Sequence, residues 1–299
     1  MRAYFLLLGF ASCDRGHEVE GNKPPPPPSK PAEARCSLAP IALTVPMPKR
    51  VVAIGDLHGD LEAAKKALAL AGVLDSGDHW SGGATTIIQT GDILDRGDDE
   101  TKILELFDHL AEEAPKSGGA VIQLLGNHEL MNAAHDFRYV TPGGQRDFDG
   151  DRAKELGPGG VWAKRLAHHN VVVQVGDTVL SHAGVTSSWI THRDEMNEQA
   201  RCWLDGQEGD TPTLALTSDD SPVWTRVWGG AQVDCDALKQ VLDRLHAKRM
   251  VVGHTPQEAG ITSACDGALW RIDTGMSKHY GGPIQVLELT ADGAKPLTP

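Results

Sequence analysis

A short apolar run followed at once by a polar turn occurs five times in this 299-residue chain, and this repetition constrains the fold most. The runs have the length and the β-branched content of buried strands. They span residues 51–54, 85–90, 121–125, 178–180 and 250–252, and each leads into a turn rich in Gly, Asp, Asn or His. Strands alternate with helical patterns early in the chain and follow one another closely later. This arrangement favours mixed sheets with helices outside over a purely parallel sheet.

Three further segments have helical periodicity. Asp60 is a candidate N-cap for a helix that ends at Gly72, and a second helix begins near Asp98 and stops at Pro115. Residues 236–247 form a third, amphipathic helix. Further strands are predicted at residues 171–175, 270–273 and 284–289. The pattern predicts an α/β fold, with residues 49–299 as its single folded domain.

The turn at residues 91–97, GDILDRG, places two carboxylates and a guanidinium between a strand and a helix. Ligand sites of open α/β sheets gather at such turns. Asp92 can bridge two cations, and Asp95 can orient a neighbouring imidazole. Arg96 can bind a phosphate with its planar guanidinium. The other four turns can supply what this one lacks.

Those turns supply nitrogen and oxygen donors and no thiolate. The candidate metal ligands, together with Asp92, are Asp56, His58, Asn127, His182 and His254. Such donors suit two divalent cations of Mn, Fe or Zn. Two cations about 3.5 Å apart that share Asp92 and a hydroxide would bind a phosphate and supply a nucleophile for in-line attack near neutral pH.

The leaving oxygen needs a proton from an acid that is not a metal ligand. His128 follows the ligand Asn127 directly and is the candidate acid, with Asp95 holding its far nitrogen. Arg226 lies between Trp224 and Trp228, where it either binds phosphate or stacks on those rings.

These motifs resemble those of a known family. GDxHG stands at residues 55–59, GDxxDRG at 91–97 and GNHE at 126–129, and single histidines follow at His182 and His254. Together they are the signature of phosphoprotein phosphatase-type metallophosphoesterases, and the resemblance covers residues 49–288. Within that group the chain looks most like the Shewanella-like protein phosphatases. The blocks that carry this likeness are residues 124–132, 142–144, 158–160, 221–226 and 270–277.

The resemblance implies a four-layer αββα sandwich of the calcineurin-like type, a two-metal centre and hydrolysis of phosphate monoesters, including phosphotyrosine in some members. It assigns one metal to Asp56, His58 and Asp92. It assigns the other to Asp92, Asn127, His182 and His254. It also implies His128 as the acid, and Arg96 and Arg226 as phosphate ligands. The expected substrate is therefore a phosphorylated protein or peptide, or a small phosphate ester.

One departure leaves the substrate class open. Eukaryotic protein phosphatases have HGG where this chain has His182-Ala183-Gly184. The alanine variant resembles bacterial diadenosine tetraphosphatases of the same superfamily. A hydrolase of nucleotides or dinucleoside polyphosphates is therefore the alternative. An inactive phosphopeptide-binding module is a third possibility, which the complete set of ligands and acid disfavours.

The N-terminal segment has a pattern that predicts export of the protein from the cytoplasm. Residues 1–13 are interpreted as a signal peptide with a lipobox-like end at residues 10–13, so that Cys13 would carry a lipid. Residues 14–48, with five prolines at 24–28, are predicted to be a disordered tether. We therefore expect a lipid-anchored protein on the periplasmic side of a bacterial membrane, with a secreted or cytoplasmic chain as the alternative.

The net charge and the hydropathy of the chain limit the classes of molecule that it could bind. The formal net charge of −13 disfavours general binding to nucleic acid or anionic lipid, so phosphate needs a local cationic site. No run approaches the ~20 apolar residues of a membrane helix, so membrane contact is expected only through Cys13.

Several residues remain outside these motifs. In an oxidising compartment the other four cysteines could form two disulfides in any of three pairings, and in the cytosol they would stay reduced. They are Cys36, Cys202, Cys235 and Cys265. Residues 186–220 are expected to lie over the metal centre and shape the substrate pocket. Residues 147–151 form an acidic loop rather than a calcium site. Spacing indicates no partner for His79, His109, His135, His168 or His169, which are expected to be ordinary imidazoles.

Overall fold

Two β-sheets and the helices around them make up the part of the chain that the structure, a computed structural model, describes: residues 36–208, 213–291 and 293–299. In chain order the strands are β1 (Thr44–Val45), β2 (Val51–Ile54), β3 (Thr86–Gln89), β4 (Ala120–Gln123), β5 (Val172–Val175), β6 (Thr178–Ser181), β7 (Arg249–Val252), β8 (Thr262–Ala264), β9 (Leu269–Arg271), β10 (Val286–Thr290) and β11 (Gly293–Leu297). The helices are α1 (Leu61–Leu70), α2 (Glu100–Glu113), α3 (Asn127–Ala133), α4 (Gly144–Asp147), α5 (Arg152–Leu156), α6 (Val161–Leu166), α7 (Arg193–Leu204), α8 (Leu214–Thr217) and α9 (Cys235–Leu245).

Both sheets are mixed. The first has the order β11-β10-β2-β3-β4, with β2, β3 and β4 parallel and β10 antiparallel to β2. The second has the order β1-β5-β6-β7-β9-β8, with β6, β7 and β9 parallel. The last residues of β2, β3 and β4 are Ile54, Gln89 and Gln123, and they are aligned in register. The turns after these three strands therefore leave the sheet at one edge.

The side chains of β2 alternate between two hydrophobic clusters, as expected for a strand buried on both faces. Val51 and Ala53 belong to a cluster that includes Val251 of the other sheet. Val52 belongs to the larger cluster, which contains helical residues such as Phe107 of α2. The two sheets thus pack on one another with helices against their other faces, which confirms the predicted αββα sandwich.

The helix boundaries follow from caps and breakers. The Asp60 side chain accepts the N–H of Ala63 at 3.1 Å and starts α1, and Gly72 follows its end with φ +71°. The helix α2 begins at Glu100, slightly later than expected, and a 3₁₀ turn containing Pro115 follows it. Six helices, α3 to α8, were not predicted. Five of them have only four to seven residues, which is too short for a helical period to show in the sequence. The sixth, α7, is longer, but its sequence is largely polar.

The structure adds a short strand before the predicted domain start at Lys49. The strand β1 pairs in parallel with β5, and Gln174 N donates to Leu43 O at 2.8 Å. Residues 44–45 of the predicted tether therefore belong to the second sheet, because a free sheet edge can bind backbone groups of a segment with few apolar side chains. Residues 1–13, with Cys13, and residues 14–35 of the expected tether lie outside the described residues.

The cysteines pair as Cys36–Cys202 and Cys235–Cys265, with Cα–Cα distances of 5.6 and 5.4 Å. This is one of the three pairings that the sequence allowed. Within the described residues, no helix has the length and apolar character needed to cross a bilayer.

The acidic segment at residues 147–151 connects α4 to α5. Asp147 accepts hydrogen bonds from Thr101 N at 2.7 Å and from Thr101 Oγ1 at 2.9 Å, which ties the loop to α2. Asp151 accepts Lys154 N at 3.3 Å and caps α5. Asp147 and Asp151 thus serve as hydrogen-bond acceptors for groups of α2 and α5.

Candidate active site

The predicted site residues follow the carboxyl ends of parallel strands in both sheets. The turns after β2, β3 and β4 supply the donors of the first half of the chain. In the second sheet, Ser181 of β6 is aligned with Val252 of β7, and His182 and His254 follow these strands closely. The two sheets therefore bring donors from residues 56 to 254 to one place.

The turns of the first two motifs are bound to each other through their backbones. His58 N donates to Asp92 O at 3.0 Å, and Gly59 N donates to Ile93 O at 2.7 Å. A side chain at Gly97 would collide with the backbone of Gly59. The glycines of both motifs are thus required by the close approach of the two turns.

Five site residues other than glycine have left-handed backbone angles, with φ between +46° and +68°. They are His58, Asp92, Asp95, Arg96 and His254. Eleven such residues occur in the described part of the chain, so nearly half of them lie at this site. A conformation of this kind costs about 1–3 kcal/mol per residue, and it persists where surrounding bonds hold it.

Glu129 supplies part of that support. Its carboxylate accepts the N–H of Asp92 at 2.9 Å, of Ile93 at 2.8 Å and of Gly126 at 2.8 Å. One buried side chain of the third motif therefore holds the backbone of the second. Burial raises the pKa of Glu129, and the nearby charge of Asp92 raises it further. Glu129 is the last residue of the GNHE motif, and its role could not be predicted from the motif alone.

The first group of donors surrounds His58. Its Nε2 lies 3.8 Å from Asp92 Oδ2 and 4.0 Å from Asp56 Oδ2. Its Nδ1 lies 3.0 Å from Leu94 O, and since a carbonyl oxygen only accepts, Nδ1 carries the proton. The lone pair of Nε2 therefore faces the two carboxylates. Burial lowers the pKa of His58 to about 4, which keeps this nitrogen available as a ligand at neutral pH.

The second group surrounds His182. Its Nε2 lies 2.9 Å from Asn127 Oδ1, 3.2 Å from Asp92 Oδ2 and 3.1 Å from His254 Nδ1. The Nδ1 of His182 lies 3.0 Å from Thr90 O and donates to it, so Nε2 is the nitrogen that faces the other three atoms. These nitrogen and oxygen atoms thus converge at contact distance. Such a set of atoms suits the coordination of one cation.

Buried carboxylates give a second reason to expect cations. Asp56 and Asp273 are both buried, and burial raises the pKa of each, that of Asp273 to about 6. The charge of Asp273 also raises the pKa of Asp56. Without positive charge nearby, these carboxylates would resist ionisation together. Asp273 lies in the block at residues 270–277, but the sequence analysis did not assign it to the site.

The residues therefore fit two divalent cations that share Asp92. Ligand atoms of His58, Asp92 and His128 lie within 4.8 Å of one another, as do those of Asp92, His182 and His254. We call the six predicted ligands the inner centre. Its members are Asp56, His58, Asp92, Asn127, His182 and His254, and all are buried.

The predicted acid stands beside the inner centre. His128 Nδ1 lies 2.5 Å from Asp95 Oδ2, and His128 Nε2 lies 3.8 Å from Asp92 Oδ2. Burial lowers the pKa of His128, but the charges of Asp92 and Asp95 outweigh it and the net shift is upward. Nε2 is thus the nitrogen that faces the ligands, while Asp95 fixes the ring.

Asp95 is itself held by residues that the sequence analysis missed. Asn132 Nδ2 donates to Asp95 Oδ1 at 2.9 Å, and the guanidinium of Arg152 donates to the same oxygen at 3.0 Å. Arg152 also binds both oxygens of Glu100, at 2.5 and 2.7 Å. Arg152 and its two carboxylates are fully buried. Arg152 is 57 residues from Asp95, and no local pattern marks it.

Arg96 lies at the open side of the site and is partly buried. Its guanidinium lies 4.1 Å from the ring centroid of Tyr139 and 5.9 Å from that of Tyr280. Among the described residues its Nε has no hydrogen-bond partner, although the atom is buried. Arg96 therefore retains an unused donor next to the inner centre.

Arg226 is exposed and donates to Thr255 Oγ1 at 3.3 Å, beside His254. Burial lowers the pKa of His254 to about 2, together with the charges of His182 and, to a smaller extent, Arg226. Arg226 is thus close to the inner centre, but at its rim.

A cavity of about 530 Å³ opens beside His58 and Arg96. It is lined further by two loops, residues 141–143 with Arg146, and residues 277–279. Residues 186–220 were expected to shape this pocket, but the described residues of that segment, 186–208 and 213–220, do not line it. In that segment Asn197 accepts the N–H groups of Val171 and Val172 and so packs α7 against β5.

Comparisons with known proteins agree with this geometry. The sequence profile of the calcineurin-like phosphoesterase family matches residues 49–258. Shewanella-like protein phosphatase 2 of Arabidopsis thaliana is 37% identical over 297 residues, which cover 82% of this chain and 76% of that protein. Shewanella-like protein phosphatase 1 of Plasmodium berghei (strain Anka) is 32% identical over 253 residues, covering 78% of this chain and 69% of that protein.

A solved structure, the cold-active protein-tyrosine phosphatase of a psychrophile Shewanella sp., superposes with a TM-score of 0.75. The alignment covers 86% of this chain and 83% of that chain at 24% identity, and it shows a shared fold. The family profile covers most of the folded domain and all six members of the inner centre. This chain therefore belongs to the calcineurin-like phosphoesterase family and is a phosphatase.

Proposed function

We propose that this protein is a metal-dependent phosphomonoesterase that acts on phosphorylated protein or peptide, with phosphotyrosine as its preferred residue. The observation that carries this proposal is the position of His128, which Asp95 orients: its Nε2 lies 3.8 Å from Oδ2 of Asp92, the ligand that both cations would share. An acid at that place serves the leaving group of a phosphate held at the inner centre. The names of the relatives from Arabidopsis and Plasmodium agree with a protein substrate.

In this proposal the inner centre holds two cations of Mn, Fe or Zn, with manganese as the first choice. Asp56, His58 and Asp92 would hold one, and Asp92, Asn127, His182 and His254 the other. When bound, such cations supply Lewis acidity to the phosphate and activate water for attack.

The chain's own residues complete the reaction. Arg96 directs its unpaired Nε and guanidinium at phosphate oxygens, whose charge grows in the transition state. His128 gives the proton on Nε2 to the leaving oxygen, and Asp95 keeps the ring oriented through Nδ1. Arg226 binds the phosphate from the rim.

Two tyrosines favour an aromatic leaving group. The Tyr139 ring lies 5.1 Å from the His128 ring, and the Tyr280 ring lies 5.5 Å from the His58 ring. Both rings also lie near Arg96, which lines the cavity: its guanidinium is 4.1 Å from the Tyr139 centroid and 5.9 Å from the Tyr280 centroid. Aromatic side chains at such a place can pack against the phenyl ring of phosphotyrosine, whereas phosphoserine has no ring to contact.

A substrate panel tests the proposal. Turnover of a phosphotyrosine peptide, the matching phosphoserine peptide and diadenosine tetraphosphate is measured with Mn, Fe and Zn. We expect the phosphotyrosine peptide to give the highest kcat/KM. Preference for diadenosine tetraphosphate would instead support the alternative, a dinucleoside polyphosphate hydrolase, for which Ala183 is the sequence argument. Absence of any metal-dependent turnover would overturn both.

We further propose that the protein is a lipoprotein, anchored through Cys13 on the periplasmic side of a bacterial membrane after signal-peptide recognition. The two disulfides support this location, since disulfides persist in oxidising compartments and are rare in the cytosol. Metabolic labelling with an alkyne-tagged fatty acid should mark the wild-type protein and not the Cys13→Ser variant. Equal labelling of both proteins would remove Cys13 as the lipid site.

A further inference from the structure

A second group of potential metal ligands lies outside the active site. His79 Nδ1 is 3.0 Å from Glu113 Oε1, and His109 Nε2 is 3.3 Å from the same oxygen. The two ring nitrogens are 3.2 Å apart. We call His79, His109 and Glu113 the outer cluster. Its three ligand atoms form a nearly equilateral triangle.

The dimensions of this triangle match the face of a coordination polyhedron. For metal–ligand bonds of about 2.1 Å, neighbouring ligands are about 3.0 Å apart in an octahedron and about 3.4 Å apart in a tetrahedron. The observed edges of 3.0, 3.2 and 3.3 Å lie between these values. A cation would sit above the plane of the triangle and keep an open position on its outer side.

Hydrogen bonding alone accounts poorly for the same contacts. Both imidazole nitrogens approach one carboxylate oxygen, Oε1 of Glu113. If His79 Nδ1 and His109 Nε2 both carry protons, two donors face each other at 3.2 Å. If one of these nitrogens carries no proton, its lone pair faces Oε1 of Glu113. A cation bound by all three atoms removes this conflict.

The carboxylate and the loop that carries His79 are already held in place. Glu113 Oε2 accepts the N–H of Trp80 at 2.8 Å, so Oε1 is directed at the imidazoles. Leu74 and Trp80 form an antiparallel bridge, and Asp75 Oδ1 accepts the N–H of His79 at 2.9 Å. Supporting hydrogen bonds of this kind orient ligands before a metal arrives.

The outer cluster is separate from the inner centre. His109 and Glu113 are in the last turns of α2, whereas Glu100 begins that helix beside Asp95. At a rise of 1.5 Å per residue, His109 and Glu113 lie roughly 14–20 Å along the helix axis from Glu100. The two sites therefore share no ligand and can be altered independently.

We propose that His79, His109 and Glu113 form a third divalent-cation site, which binds Zn²⁺ with three protein ligands and solvent in the remaining position. Two imidazoles and one carboxylate are a donor set that zinc commonly takes. The bound ion links the loop at residues 74–80 to the end of α2. The site is partly exposed, so an ion can enter from solvent. This inference does not depend on the proposed substrate.

Zinc stoichiometry tests the proposal. Wild-type protein and the His79→Gln/His109→Gln variant are dialysed against the same buffered Zn²⁺, and bound metal is measured by mass spectrometry. We expect the wild type to hold one more equivalent than the variant. The donors of the inner centre are identical in both proteins, so their zinc cancels in the difference.

His192→Gln is the matched control. His192 is also an exposed imidazole near a glutamate, with Nδ1 3.4 Å from Glu195 Oε2. It should keep the wild-type stoichiometry. Equal zinc in the wild type and the double variant would overturn the proposal. So would an equal loss in His192→Gln, since surface imidazoles in general would then be responsible.

A structural readout guards against misfolded variants. Zn²⁺ should slow amide hydrogen exchange of Gly77 and His79, in the loop that the ion would fix, and Glu113→Gln should abolish that slowing. The amide oxygen of glutamine can still accept the Trp80 N–H, so the loop itself is retained. Unchanged exchange on adding Zn²⁺ to the wild type would also overturn the proposal.

Discussion

Imidazoles and carboxylates approach one another at 3–4 Å in both the inner centre and the outer cluster, but the protein holds them differently. In the inner centre His58 and His182 each bind a buried main-chain carbonyl through Nδ1. In the outer cluster the carboxylate of Glu113 is fixed by Trp80 N–H, while both imidazoles are partly exposed. The inner ligands are thus oriented in advance, as catalysis requires, whereas the outer ones can adjust around an ion.

The difference extends to what lies behind each site. The inner centre is backed by buried charge, in which Arg152 joins Asp95 to Glu100. The outer cluster is backed by backbone hydrogen bonds of one surface loop. We therefore expect substitutions behind the inner centre to have large effects, and substitutions in the outer cluster to have small ones.

The largest effect is expected from Arg152→Met. The change leaves Asp95 and Glu100 buried without their cation, and breaking a buried pair in this way costs about 3–5 kcal/mol. Urea unfolding measures the free energy of unfolding. The control Arg165→Met removes an exposed pair with Asp108, at 3.3 Å, and should cost about 1 kcal/mol or less. Similar losses in both variants would contradict the comparison.

The second largest effect is expected from His128→Asn, and it concerns turnover. Loss of the acid beside the inner centre is expected to lower kcat by about 100-fold or more, because the leaving oxygen then departs without a proton donor. Metal content should stay at the wild-type value, since His128 is predicted to be no ligand. Metal analysis together with steady-state kinetics checks both statements. Unchanged turnover would remove His128 from the mechanism.

The two arginines of the site should differ. Arg96→Ala removes a partly buried guanidinium with an unused donor, and a charged hydrogen bond of about 1.5–3 kcal/mol corresponds to roughly 10–150-fold in kcat/KM. Arg226→Ala removes an exposed group at the rim and should cost less than about 5-fold. Kinetics with one phosphotyrosine peptide compares them directly. An equal loss would mean that Arg226 reaches the phosphate as Arg96 does.

The smallest effect is expected from His79→Gln/His109→Gln without zinc. Substitution of exposed residues should shift Tm by less than about 2 °C in the presence of a chelator. Turnover with metal restored to the inner centre should equal that of the wild type. A calorimetric scan and a kinetic assay suffice. A large loss of either would show that the outer cluster supports the fold or the active site.

Much of the inner centre was predictable because strand and ligand are adjacent in sequence. Asp56 and Asp92 follow buried apolar runs within a few residues, so the pattern that predicts the strand also positions the donor. The parallel register of β2, β3 and β4 then brings those donors together. The substrate cavity was not predicted, because residues 141–143 and 277–279 of its lining come from loops without periodic signals.

Residues that act through distant contacts were also missed. Arg152 has no local pattern that links it to Asp95, since their contact depends on the packing of α5 against α3. The strand β1 is two residues long and lies at a sheet edge, so it shows no apolar run. The expectation that His79 and His109 have no partner is wrong, since both lie close to Glu113; the four-residue spacing of His109 and Glu113 on one helix was the signal that was missed. Only the fold shows that His79 joins them.

The disulfide between Cys36 and Cys202 has a mechanical consequence. Tension applied between the N-terminal and C-terminal ends of the chain would enter at Cys36 and pass through the sulfur bridge directly to Cys202. Residues 37–201 would form a loop that carries no load. That loop holds β1 to β6 and five members of the inner centre, Asp56, His58, Asp92, Asn127 and His182, so stretching would leave most of the inner centre unstrained.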